Sequence, residues 1–313
     1  MTRTSRRALQ FAGILVAALG GWFVLWALIR DWPQVSALIA DTSARWLLIA
    51  LGLGVMALVV IALVWTHELR RRADSVSLTQ GLTWYFIGEL AKYLPGGIWS
   101  IMGRAELATR GGVGRAAAYT ATLLSLGATF GAALLVVLAG FPFHEADLPL
   151  ELGRASRVLL VGALLVMVAV GLLAAFGTSP GSLTTPKASA ARDRPLKLDP
   201  PELRVILTLL TFSIPAWFLM GLSTWAIALA FGIRLPLSEA LFATSLAWFV
   251  GFIIVPVPSG IGVREAVLVF ALSSVPPGTA ATIAAVSRTI SMASDVVGAG
   301  VAAWVVSRNR ARR

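Results

Sequence analysis

Apolar runs of about 20 residues are the feature that most constrains the fold of this chain. A helix of that length crosses the roughly 30 Å hydrocarbon layer of a bilayer while satisfying its own backbone hydrogen bonds. The runs recur along a chain that is 58% hydrophobic and 13% charged. The pattern predicts an all-α, polytopic membrane protein. Six full crossings are predicted, at residues 8–29, 46–66, 116–138, 156–176, 205–231 and 279–306.

Two further apolar segments, 78–110 and 237–275, are interrupted in the middle by residues that break helices. The interruptions are Pro95-Gly96-Gly97 and the sequence PVPSG at 256–260. Each arm has about 13 to 19 residues, which is marginal or too short for a crossing. A non-helical backbone at membrane depth persists only where protein or a water-filled cavity covers it. We therefore predict two re-entrant helical hairpins, which join the six crossings in one membrane domain over residues 1–313.

Positive charge is concentrated on one side of this predicted arrangement. Six crossings and two hairpins place both termini on the same side, and the short loops there carry most of the lysines and arginines. That side is predicted to be cytoplasmic, since basic residues accumulate in cytoplasmic loops. Topology thus accounts for the net charge of +11, and no nucleic-acid partner is predicted. Residues 178–203, rich in Ser, Thr, Pro and Lys, form a cytoplasmic linker between the fourth and fifth crossings.

The two halves of the chain, 1–140 and 155–306, share a sequence pattern. The motif PGGI at 95–98 matches PSGI at 258–261, and an arginine follows in each half, Arg104 and Arg264. Three crossings separate the two hairpins, so the second half is predicted to be inverted relative to the first. Inverted repeats with interrupted helices are a recurring transporter architecture, in which the binding site lies near the membrane midplane. The two hairpins are therefore expected to build one site together.

Ionisable residues lie inside the predicted membrane segments, where each costs about 2.5–3.5 kcal/mol on insertion scales and normally faces a cavity or a partner. They could be internal ion pairs that lock the hairpins, or they could surround a polar cavity that receives an anion. Buried pairs roughly break even in stability, which favours the cavity for the whole set. The predicted anion-binding residues are Lys92, Gly96, Gly97, Arg104, Gly260, Arg264 and Arg288, and the predicted counter-charges or proton carriers are Glu89, Glu106, Glu265 and Asp295.

The glycines belong to this set because each precedes a new helix. The free N–H groups and the positive dipole of a helix start favour an anion, although a tight turn alone would also account for glycine there. The sequence contains no phosphate-binding loop, dinucleotide fingerprint or HExxH motif, and it has no cysteine. His67 and His144 fall in loops on opposite sides. No metal, cofactor or enzymatic activity is therefore predicted.

Two stretches carry a family resemblance, GELAKYLPGGIWSIMGRAEL at 88–107 and VPVPSGIGVREAVLVFAL at 255–272. With them, and with the alanine-rich last crossing that contains Arg288, the chain resembles the flippase-like membrane region of lysylphosphatidylglycerol synthetases and its stand-alone relatives. The resemblance covers residues 10–306 and implies lipid translocation in a bacterial or archaeal membrane. It also implies that Arg104, Glu106, Arg264, Glu265 and Arg288 belong to the site that holds the lipid headgroup.

The family comprises members fused to a synthetase, which are thought to move aminoacylated phosphatidylglycerol between leaflets, and others that accompany glycosyltransferases acting on polyprenyl phosphates. We therefore expect a flippase or scramblase for one of these two classes of anionic lipid, in the bacterial cytoplasmic membrane. A separate lipid-modifying enzyme or glycosyltransferase is a candidate partner. Two alternatives remain open, a secondary transporter of a small soluble anion and a non-transporting subunit that presents a lipid to an enzyme.

Overall fold

The computed structural model describes residue 22 and residues 24–93, 99–141, 203–253 and 260–311. All regular secondary structure among these residues is helical, as predicted. Residues 24–30 are helical. The helices that follow are α1 (Trp32–Ala40), α2 (Ala44–Arg72), α3 (Leu78–Glu89), α4 (Trp99–Arg110), α5 (Arg115–Gly140), α6 (Leu203–Ala230), α7 (Leu237–Ile253), α8 (Val263–Ala271) and α9 (Pro277–Ala311). The 3-10 turn Leu90–Tyr93 directly follows α3.

Four of these helices, α2, α5, α6 and α9, are long and apolar enough to cross a membrane. They confirm the four crossings predicted at 46–66, 116–138, 205–231 and 279–306. The crossing predicted at 156–176 lies outside the described residues. Of the crossing predicted at 8–29 only the helical end is described, and of the linker 178–203 only the last residue. The interruptions at 95–97 and 256–259 also lie outside the described residues. The chain is thus a multi-pass membrane protein whose described residues include four helices long and apolar enough to span the bilayer.

Helices α3 and α4 form a short antiparallel pair. Trp84 on α3 lies against Gly111 just beyond α4, whereas Gly88 lies against Arg104, so the pairing runs in opposite directions along the two helices. A Cβ atom at Gly88 would come within 2.7 Å of the backbone nitrogen of Arg104, so glycine alone permits this approach. Each helix has 12 residues and is about 18 Å long, well short of a crossing.

Helices α7 and α8 form a second antiparallel pair. Near one end, the carboxylate of Glu239 accepts a hydrogen bond of 2.9 Å from the backbone N–H of Ser274. Near the other end, Gly251 lies against Gly260 and Arg264. The second helix of the pair, α8, has nine residues and is about 14 Å long, so this pair is also too short to cross twice.

The long helices pack closely around two buried tryptophans. Helix α2 packs along α6, α5 and α7 pack on α6, and α9 contacts α2, α3 and α8. The indole N–H of Trp65 donates to Thr122 at 2.9 Å, and that of Trp217 donates to the carbonyl of Thr129 at 2.7 Å. Many of the fully buried residues are alanines, which let membrane helices approach closely. This bundle holds both short pairs against α9.

Candidate functional site

One cavity connects the two short helix pairs. Its volume is about 190 Å³, and Arg104 from α4 and Arg264 from α8 both line it. Glu89 and Lys92, at the end of the first pair's other arm, also face it. With Gly260, which also lines it, the structure brings together five of the residues that the sequence assigned to a shared site. Six aromatic side chains make up much of the remaining wall, namely Trp65, Tyr85, Phe130, Trp217, Trp248 and Phe252.

Arg104 is almost fully buried, with 3% of its surface exposed. Its guanidinium lies 5.2 Å from the centre of the Tyr85 ring, and Nη1 is 4.0 Å from a carboxylate oxygen of Glu89, too long for a hydrogen bond. Its Nε has no hydrogen-bond partner among the described residues. A buried guanidinium in this position retains donors for a ligand.

Arg264 is 5% exposed and is held by stacking rather than by an ion pair. Its guanidinium lies 3.5 Å from the centre of the Trp248 ring, and Nη2 donates to the hydroxyl of Ser291 at 3.0 Å. Among the described residues, no carboxylate oxygen lies within 4.0 Å of its nitrogen atoms. Arg264 therefore contributes the site's least compensated positive charge.

Lys92 is neutralised inside the protein. Its ammonium group donates to Asp295 at 2.8 Å and to Glu89 at 3.1 Å, and the hydroxyl of Tyr93 donates to the same Asp295 carboxylate. Asp295 is 2% exposed and belongs to α9, so this network ties the first short pair to the last helix. For Lys92 and Asp295, the geometry supports the locking ion pair that the sequence left open.

The other predicted site residues lie at the edge of the cavity or away from it. Arg288 is 3.6 Å from Glu265, which also accepts a 2.6 Å hydrogen bond from the N–H of Gly262 at the start of α8, and neither charged residue lines the cavity. Glu106 pairs with the exposed Arg110 at 3.5 Å and does not line the cavity either. Gly260, which is on the cavity wall, has a positive φ of 65° that favours glycine. Gly96 and Gly97 lie outside the described residues.

Trp248 is a residue of the candidate site that the sequence reasoning missed. Two cations lie near its ring: the Arg264 guanidinium stacks on it, and the Lys92 ammonium is 5.8 Å from its centre. The three residues also line a second, smaller pocket of about 30 Å³ that contains several serine and threonine hydroxyls. A usable signal existed, since Trp248 lies within a predicted hairpin arm rather than at an interface, where tryptophan is expected.

The arrangement is suited to binding a phosphate group. Arginine presents a planar set of donors that can grip phosphate with two hydrogen bonds, and the largely apolar wall lowers the local dielectric constant, which strengthens the attraction. The three carboxylates near the cavity are all within 4.0 Å of a base. Within the described part of the chain, no group of three or more metal-ligating residues could hold a metal ion.

Comparison with known families supports a membrane role for this site. The family described as Lysylphosphatidylglycerol synthase TM region matches residues 10–298, which include both short helix pairs and the cavity between them. None of the curated proteins matches the chain. The family match confirms the resemblance seen in the two motifs, and it denotes a transmembrane region rather than a catalytic domain. The chain belongs to the lysylphosphatidylglycerol synthase TM region family.

Proposed function

We propose that this protein moves an anionic lipid headgroup between leaflets, as a flippase or scramblase, and that the headgroup binds between Arg104 and Arg264. One observation carries the proposal: two buried arginines, one from each short helix pair, line the same cavity. Neither arginine has a carboxylate within ordinary hydrogen-bond distance among the described residues. Membership of a family named for a lipid synthase supports a lipid rather than another anion.

The lipid is either derived from phosphatidylglycerol or linked to polyprenyl phosphate, since both carry the phosphate that two arginines can grip. Its headgroup crosses through the cavity while its hydrocarbon tail stays in the bilayer. Glu89 is the carboxylate on the cavity wall, and it serves as counter-charge or proton carrier when the headgroup leaves. The protein performs no covalent chemistry in this scheme. A lipid-modifying enzyme or glycosyltransferase supplies or consumes the lipid.

For the membrane arrangement, we propose six crossings and two re-entrant hairpins, related as an inverted repeat of residues 1–140 and 155–306. The shortness of α3, α4 and α8 and the antiparallel packing within each pair support the hairpins. The basic loops support cytoplasmic termini in the bacterial inner membrane. Rocking of one pair against the other alternates access to the cavity.

A secondary transporter of a small soluble anion is the second candidate. The cavity volume of about 190 Å³ favours it, because that space suits a group the size of phosphate and is smaller than a typical drug-sized ligand pocket. Uptake of inorganic phosphate into vesicles, abolished by Arg264→Ala, would support this second candidate over lipid movement.

The decisive experiment is mass spectrometry of the lipids that co-purify with the wild type and with Arg104→Ala and Arg264→Ala. Loss of a charge-assisted hydrogen bond weakens binding by about 1.5–3 kcal/mol, so each variant should retain roughly tenfold to a hundredfold less of one anionic lipid class. Arg110→Ala is the matched control, because Arg110 is on the same helix as Arg104 but 76% of its side chain is exposed.

The retained lipid is then tested for movement in vesicles of the same lipid mixture. Faster exchange between leaflets with the wild type and with Arg110→Ala, but not with either cavity variant, is the expected result. Bulk lipids recovered in equal proportions from all four proteins would contradict the headgroup site. Retention without movement would indicate a subunit that presents the lipid.

A further inference from the structure

Two stacked phenylalanine rings form the wall of the cavity between α5 and α7. The ring centroids of Phe130 and Phe252 are 3.7 Å apart, and the rings are 12° from parallel. Both side chains line the cavity, Phe252 is 38% exposed, and Phe130 is partly buried. The contact between these two rings therefore closes the space between α5 and α7 at this part of the cavity wall.

Phe130 lies at the boundary between two faces of α5. Ser125, Leu126 and Thr129 face the cavity with it. Leu123, 42% exposed, and the exposed Gly127 precede Phe130 at spacings of seven and three residues, so they share the outward face with it. A Cβ atom at Gly127 would meet nothing within 4 Å. The missing side chain leaves a notch on the exposed face of α5, next to the stacked rings.

We propose that this seam is a lateral portal, in which Phe130 and Phe252 separate and the hydrocarbon tail of the bound lipid passes between α5 and α7. The proposal rests on the proposed function, because a headgroup held by Arg104 and Arg264 needs an opening through which its tail remains in the bilayer. The occupant is the tail because the rings and the notch offer only apolar surface. Separating two phenyl rings breaks no hydrogen bond, so no buried polar group is left unsatisfied when the portal opens.

Photo-cross-linking tests the proposal directly. A p-benzoylphenylalanine side chain replaces Phe130 in one protein and Phe212 in another, where Phe212 on α6 is a control exposed to 56%. Both proteins are irradiated in native-membrane vesicles, and the lipid adducts are identified by mass spectrometry. At position 130 we expect the lipid class that co-purifies with the cavity, and Arg264→Ala should lower that adduct by about tenfold or more. At position 212 we expect bulk lipids, unaffected by Arg264→Ala.

The outcomes separate the portal from the function on which it rests. Adducts at position 130 that match those at 212 and ignore Arg264→Ala overturn the portal, even if lipid co-purification still depends on the arginines. Loss of that dependence in co-purification as well overturns both proposals. Only an adduct at 130 that follows the state of the cavity supports the portal.

A pair of glycine substitutions provides a second test. Gly127→Leu fills the notch beside the portal, whereas Gly52→Leu adds the same side chain to α2 at another exposed glycine with open space around it. Both changes favour a helix, so neither is expected to prevent folding. Movement of the retained lipid should slow with Gly127→Leu and stay at the wild-type rate with Gly52→Leu, while binding of inorganic phosphate is equal in both. Equal rates of lipid movement would overturn the portal.

Discussion

The buried ion pair between Lys92 and Asp295 gives the sharpest test of the architecture. Asp295 is 2% exposed and accepts hydrogen bonds from Lys92 and from Tyr93. Removing one partner of a buried pair costs about 3–5 kcal/mol, because an uncompensated charge stays inside the protein. Lys92 keeps Glu89 at 3.1 Å, so we expect Asp295→Asn to cost about 3 kcal/mol, the lower end of that range.

The double variant separates pairing from ordinary packing losses. Lys92→Met removes the cation, and in the combination with Asp295→Asn no unpaired charge remains at either position. We expect the double variant to be no less stable than the worse single variant, which gives a coupling free energy of about 3 kcal/mol. The measurement is the free energy of unfolding in mixed micelles for the wild type, both single variants and the double variant.

The exposed pair of Glu106 and Arg110 serves as the control cycle. Their side chains are 42% and 76% exposed and lie on the same helix, so a coupling of about 0.3–0.5 kcal/mol is expected. Additive losses below about 1 kcal/mol for Lys92 and Asp295 would refute the reasoning, since contacting buried charges do not behave as independent sites.

Three further predictions address packing and access. Gly88→Ala should lower the free energy of unfolding by about 1–3 kcal/mol, because the added Cβ would meet the α4 backbone. The control Gly52→Ala should be neutral or stabilising by up to about 1 kcal/mol. Equal losses in the two variants would contradict the close helix contact. Trp248→Leu removes a cation–π contact worth about 2 kcal/mol when desolvated, so lipid retention measured by mass spectrometry should fall by roughly thirtyfold. Unchanged retention would show that the stack does not position Arg264. The chain has no cysteine, so the double variant Phe130→Cys, Phe252→Cys can be bridged by a short reversible bis-thiol reagent. Lipid movement should stop on bridging and return on reduction. Movement in the bridged protein would argue against a gate between α5 and α7.

The cations of the candidate site differ in whether a carboxylate neutralises them. The sequence assigned four bases to the site, Lys92, Arg104, Arg264 and Arg288, and the structure engages them differently. Lys92 has two carboxylate partners, and Arg288 lies near Glu265 outside the cavity wall. Arg104 and Arg264 remain poorly matched by acids and face the cavity. A ligand carrying negative charge would therefore meet two arginines first, with Lys92 and Asp295 as a fixed support behind them.

Much of the fold follows from local sequence. The helix predicted at 116–138 is observed as Arg115–Gly140, and the one at 205–231 as Leu203–Ala230. Apolar runs determine such helices because backbone groups in a membrane can be satisfied only within the segment itself. The short arms beside the proline and glycine motifs were likewise predictable, since clustered prolines and glycines interrupt a helix, whereas the single Pro215 lies inside α6.

The candidate site was predictable in its members more than in their roles. Charged residues in apolar segments identified Lys92, Arg104, Arg264 and Asp295, because a charge is rarely kept there without a partner or a cavity. The same rule selected Glu106, which the structure places against an exposed arginine. The sequence shows that a charge lies in an apolar segment, but it does not show which residue pairs with that charge.

The sequence by itself thus determined that the chain is a helical membrane protein, where the four long apolar helices of the described residues lie, and which charges are out of place in the membrane segments. These properties depend on residues close together in the chain. Only the tertiary structure decided that Lys92 is neutralised by Asp295, 203 positions away, while Arg264 stacks on Trp248 and stays available. The physical reason is that an ion pair depends on the distance between two groups, and helix packing sets that distance.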